Sequence, residues 1–147
     1  MMRPRTDRQT TNPLARAIWW SLAGAGAAVL TAAAILEPDV RGYGTHTQLG
    51  LPPCGFRLLT GFPCPGCGLT TAFAYAIRGD WTAASAANPL GVLLCLFVCS
   101  SIPFSVIGAL RGWSLDTLFG RFALGRWGLA LAGSSLALWV ARLVAAF

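Results

Sequence analysis

Apolar residues in this chain come in long unbroken blocks, with polar and basic residues gathered between them. Ala17–Leu36 is 20 uncharged, mostly apolar residues, and Pro89–Leu110 is 22 more. Trp127–Phe147 is a third block, interrupted only by Arg142. A helix rising about 1.5 Å per residue crosses a hydrocarbon core of roughly 30 Å in about 20 residues, so each block predicts a transmembrane helix. Trp19 and Trp20 open the first block, at the level where indole rings favour the headgroups. Ala32-Ala33-Ala34 resembles a signal-peptide cleavage site, but the apolar run exceeds the roughly 7–15 residues of a signal core and has no polar approach to the cut. An uncleaved anchor is the expectation. Asn88 followed by Pro89 reads as the cap and first position of the second helix. Pro103 inside that helix predicts a kink. Arg142 stands roughly 22 Å along the third helix, close enough to the far interface to snorkel.

Leu58–Ile77 is also uncharged for 20 residues and would pass as a fourth span on hydropathy alone. Its two prolines and three glycines argue against a straight helix through the first half. Charge decides more firmly. The N-terminal arm carries Arg3, Arg5, Arg8 and Arg16 against Asp7, and residues 111–126 carry Arg111, Arg121 and Arg126 against Asp116. Three spans put both basic segments on the cytoplasmic side, as the positive-inside rule prefers, whereas four would put the second outside. The expectation is an N-terminus in the cytoplasm and a cysteine-containing segment, residues 37–88, outside it.

Within that segment, Leu69, Ala72, Phe73, Ala76 and Ile77 recur at helical spacing, with Thr71, Tyr75 and Arg78 on the opposite face and Gly79 as a stop. A helix of about a dozen residues is too short to span, so it should lie in the interface or re-enter the bilayer. Asp80 can cap a second short helix over Trp81–Ala87. Residues before Cys64 should form a non-helical turn, because proline disfavours helix at the residue preceding it.

Composition narrows the class. The 147 residues make a single membrane domain, 17–147, behind a basic, disordered arm, 1–16. Charged residues are 11% against 55% hydrophobic, which argues against a water-soluble globule. The eleven basic residues behind the net charge of +6 are all arginine, set against five acids, and the arginines form no run or stripe of the kind that binds nucleic acid.

The chemistry sits in Cys64-Pro65-Gly66-Cys67-Gly68, with Cys54 and the single histidine, His46, upstream. A Cys-x-x-Cys-Gly turn brings two thiolates to one side, and Gly68 permits the positive φ that turns backbone N–H groups toward sulfur. His46, Cys54, Cys64 and Cys67 together supply the four ligands that tetrahedral zinc needs. Thiol–disulfide exchange uses the same spacing: Cys67 at a helix start would have a lowered pKa, and Cys54 could resolve the bond. A structural Cys64–Cys67 or Cys54–Cys64 disulfide is the third reading, favoured by exposure outside the cytoplasm. Cys95 and Cys99, one turn apart in the second span, read as small apolar fillers.

The stretch Gly44-Thr45-His46, then Leu49 to Cys54, then Leu59 to Thr70, followed by Arg78-Gly79-Asp80 and Asn88-Pro89, resembles the bacterial DUF2752 family. The resemblance implies a small multi-pass protein of the bacterial inner membrane and draws attention to Cys54, Cys64 and Cys67, but it supplies no reaction. The family usually has arginine after the threonine of its Cys-Pro-x-Cys-Gly-Leu-Thr core, where this chain has Thr71.

The expected architecture is therefore all-α and integral to the membrane, with three transmembrane helices (17–36, 89–110 and 127–147) and a short interfacial or re-entrant helix after the Cys-x-x-Cys turn. The expected role is a non-enzymatic accessory or assembly module, with the cysteine knuckle as its recognition or structural element. It would work against the bilayer with a membrane-protein partner or a second copy of itself. A membrane thiol oxidoreductase using Cys64 and Cys67 is the first alternative. A small transporter or channel component is the second, set back by the lack of an ionisable residue in mid-span.

Overall fold

The structure is a computed structural model and describes residues 12–114 and 124–144. Among these residues the secondary structure is entirely helical: α1 (Pro13–Ile35), α2 (Gly55–Thr60), α3 (Leu69–Ala76), α4 (Trp81–Ala87), α5 (Pro89–Arg111) and α6 (Leu124–Val144), with a 3₁₀ turn over Thr45–Leu49. The basic arm up to residue 11 and the loop arginine Arg121 lie outside the described residues, as does the side chain of Arg142.

Two helices, α1 and α5, are long and apolar enough to cross a membrane. At 23 residues each, they would run about 34 Å. α5 begins as the sequence predicts, with Asn88 Oδ1 accepting from Leu90 and Gly91 ahead of Pro89. α1 starts four residues earlier than the expected Ala17: residues 13–16, expected in the disordered arm, are helical, because the Asn12 side chain caps them by accepting from the Leu14 N–H and Pro13 takes the first helical position. The helix α5 continues through Pro103. In α6 the apolar part, Gly128–Ala141, is shorter than the span expected at 127–147.

α1 and α5 pack antiparallel. Trp19, near the start of α1, meets Phe104 and Trp113 edge-on at the end of α5, while a Cβ on Gly26 would touch Ile102 and Val98. Farther along α1, Leu30 and Ala33 pack in the cluster that contains Cys95. The contact seam is narrow: Ala15, Trp19, Ala23 and Ala33 are buried, while Trp20, Leu22, Val29 and Ile35 are exposed. On α5, Gly91, Cys95 and Gly108 are buried and Leu93, Leu96, Phe97 and Leu110 are exposed. Both helices thus carry exposed apolar side chains of the kind a lipid-facing surface presents. The buried Trp19 indole closes the far end, donating Nε1–H to the Trp113 carbonyl at 2.9 Å.

At the other end α3 and α4 pack against α5, and α3 also against α1. The small core there is Ala33, Phe73, Ala76, Ala84 and Cys95. Asp80 caps α4 as expected, accepting from the Ala83 N–H at 3.0 Å, and Gly79 takes a left-handed φ of 81°. Three local expectations are corrected. Of residues 58–63, expected to be a non-helical turn, only 61–63 are one; 58–60 belong to α2, because Pro63 comes only after Gly61 has already closed the helix with a left-handed φ. Thr71 is buried, not on an outer face, because its hydroxyl has a partner inside, the Thr45 hydroxyl at 2.8 Å. Ile77, placed on the inner face, is exposed.

Candidate functional site

The Cys64–Cys67 turn sits at the junction of α3, α4 and α5, and three contacts fix it there. The Cys67 N–H donates to the Cys64 carbonyl at 3.0 Å, closing the turn. Gly68, at φ 83°, lets the chain enter α3 where nothing larger fits: a Cβ there would lie 2.5 Å from the Ala87 carbonyl oxygen and 2.6 Å from that of Gly42. Asn88, the buried cap of α5, turns its Nδ2 back to the Cys67 carbonyl at 3.1 Å and the Pro65 carbonyl at 3.4 Å. One side chain thus starts the long helix and holds the thiol turn.

Cys54, the residue before α2, completes the site. The sulfurs of Cys54, Cys64 and Cys67 all lie within 4.8 Å of one another. The three residues are half-buried and their thiols are free. Their environments differ. The backbone N–H of Arg57, then the Cys64 thiol, hold Cys54 below the ordinary thiol range. Burial, reinforced by the neighbouring Cys64 sulfur, pushes Cys67 up to about 12, against the pull of the Cys64 N–H directed at its sulfur from 3.2 Å. The sequence predicted the opposite for Cys67; its desolvation outweighs the favourable helix start.

His46 stands apart from the thiol cluster. Its Nε2 lies 3.2 Å from the Pro52 carbonyl oxygen. The 3₁₀ turn buries its neighbour Thr45, whose hydroxyl also accepts from the Asp39 N–H at 3.0 Å. His46 nevertheless lines the same open cavity, of about 700 Å³, as the three cysteines. Of the expected ligand set the structure brings three together and leaves the fourth on the cavity wall.

Other residues at the site had no signal in the sequence. Arg57 lays its guanidinium over the Tyr43 ring, 3.6 Å from the centroid, and Arg41 reaches the same ring at 5.3 Å. Arg41 also pairs with Asp39 at 2.6 Å, and that hydrogen bond holds the Asp39 carboxyl at about 2. Trp139 of α6 donates its indole N–H to the Pro63 carbonyl at 2.7 Å and meets Phe56 edge-on, so α6 touches the residue just before Cys64.

Residues 54–102 match the family model described as Protein of unknown function (DUF2752). The match starts at Cys54 and includes Cys64, Cys67, Asn88 and most of α5. Among curated proteins and among solved structures, nothing matches the chain.

Proposed function

We infer that the chain is a bilayer-embedded accessory or assembly protein that holds a thiophilic metal ion, zinc in the first instance, on Cys54, Cys64 and Cys67. The convergence of three sulfurs within 4.8 Å carries the reading. A bracing disulfide uses two sulfurs; a third, brought in from ten residues upstream, serves as a ligand. Three protein ligands and one open position is the pattern of zinc sites that admit water or a further group. His46, on the wall of the same cavity, is the side chain left to take that position.

In this reading α1, α5 and α6 all cross the inner membrane. Arg16 in the first turn of α1 and Arg111 in the last turn of α5 share the end away from the cysteines, which suits a cytoplasmic placement. Trp139, near the end of α6, reaches Pro63, so α6 runs toward the cysteine side, as a third span would.

The thiol oxidoreductase reading has one observation in its favour, the unequal thiols. Cys54 is the readier nucleophile and Cys67 the more reluctant. Metal analysis and thiol titration of protein purified without chelator separate the two. The metal reading expects about one zinc per chain, lost on Cys64→Ser or Cys67→Ser. Metal-free protein with a Cys64–Cys67 bond that opens and re-forms with reductant and oxidant would replace it with the redox reading.

A further inference from the structure

The cavity beside the thiols is also lined by two arginines, Arg41 and Arg57. Arg57 has no carboxylate partner among the described residues, and its guanidinium is held over the Tyr43 ring. Arg41 brings a second guanidinium to the same ring, partly neutralised by Asp39. Leu58, on the cavity rim, and its neighbour Leu59 are among the most exposed apolar residues of the chain, at 71% and 89%.

The height of these groups follows from Gly68. The Gly42 and Ala87 carbonyl oxygens both lie where a Cβ on Gly68 would stand, and a Cβ on Gly42 would lie 3.8 Å from the Ala87 Cα, so Tyr43, next after Gly42, is held level with Asn88 and Pro89, where α5 begins. When α5 spans the bilayer, that level is the plane of the headgroup phosphates, where tyrosine rings concentrate.

We propose that this cavity binds an anionic phospholipid: the Arg57 guanidinium, with Arg41 beside it over Tyr43, takes the headgroup phosphate, and the acyl chains lie along Leu58 and Leu59. Planar guanidinium matches phosphate with paired hydrogen bonds, and the apolar rim covers what a free anion would leave bare. The site rests on the bilayer placement of α5 and not on the metal.

The test uses the full chain in phosphatidylcholine nanodiscs with trace spin-labelled phosphatidylglycerol or spin-labelled phosphatidylcholine. The motionally restricted fraction should favour phosphatidylglycerol by about fivefold. Arg57→Gln should bring the ratio close to one. Tyr43→Leu, which keeps both charges and removes the ring that positions them, should lower it. Arg111→Gln, at the opposite end, should leave it unchanged. Equal retention of the two lipids by the wild-type chain overturns the proposal, and so does an equal loss in Arg57→Gln and Arg111→Gln. Displacement of the labelled lipid by millimolar inorganic phosphate would instead make this a free-anion site. Failure of the chain to enter pure phosphatidylcholine discs would sink the bilayer reading itself, a different result from entering them without preference.

Discussion

Asn88 Nδ2 donates to the carbonyl oxygen of Cys67 at 3.1 Å, so the residue that caps α5 also carries the thiol turn. The two tasks separate by mutation. Asn88→Ala loses the cap and removes the donor to the half-buried Cys67 carbonyl, which should cost about 1–3 kcal/mol. Asn88→Asp keeps a capping oxygen but faces the Cys67 carbonyl with another acceptor. Asp should therefore preserve more helix stability than Ala while weakening zinc retention as much. Equal thermal stability for the two, in the same detergent, would mean that the cap adds nothing.

Gly68 and Gly61 make a controlled pair. Both take positive φ, but a Cβ on Gly61 meets nothing within 4 Å, whereas one on Gly68 collides with two carbonyl oxygens. Gly61→Ala should cost about 1 kcal/mol, the conformational penalty alone. Gly68→Ala adds overpacking and should cost at least ~3 kcal/mol or prevent assembly. Unfolding midpoints of the two variants provide the check.

At the far end, Gly108 lies under the Trp19 ring, with a built Cβ 2.8 Å from it. Gly108→Ala would raise helix propensity in isolation, yet here it should destabilise by about 1–3 kcal/mol. Trp19→Ala, which empties a fully buried site, should cost about 3–5 kcal/mol. If Gly108→Ala were stabilising, the α1–α5 seam would have to be looser than its contacts indicate.

Thiol chemistry should follow the two opposed shifts. Alkylation in metal-free protein should label Cys54 well before Cys67, as read by peptide mass spectrometry, because Cys54 lies below the ordinary thiol range and Cys67 stands at about 12. Metal must displace the protons these thiols still carry, so affinity should rise with pH, most steeply where Cys67 is protonated, and fall on acidification. Zinc occupancy that stayed flat from mildly acidic to alkaline pH would contradict thiolate ligation.

Topology gives a prediction independent of the site. An alkaline phosphatase reporter fused after Gly79 should be active and the same reporter after Gly120 inactive. The reverse pattern would move the cysteines to the cytoplasm.

The long helices were legible because their signals are local: an uncharged run and a flanking arginine mark α1 and α5, and an Asn-Pro start fixes α5, whereas the same start at Asn12-Pro13 was hidden by the basic residues around it, so α1 begins four residues before Ala17. Asp80 capping α4 was legible for the same reason. The thiol cluster was half legible. Two sulfurs follow from the Cys-x-x-Cys spacing, but whether Cys54 or His46 joins them depends on how a loop lies against α3. That was settled by Thr45, which turns inward to meet Thr71, 26 residues away, and leaves His46 to face Pro52. Thr71 looked like an outward residue because periodicity assigns faces by polarity and cannot see a buried partner. The Arg57–Tyr43 stack was illegible for a similar reason, since nothing in a spacing of fourteen residues announces that a ring and a guanidinium will meet.

Three is an odd number, and that has a consequence for the sulfurs gathered within 4.8 Å. Any two can pair, but the last then has no mate inside the cluster. In an oxidising compartment the metal-free chain thus has no fully paired resting form of this site. Air-oxidised protein should accumulate mixed disulfides or chain-to-chain crosslinks through the leftover sulfur, and bound metal, by occupying all three at once, should suppress them.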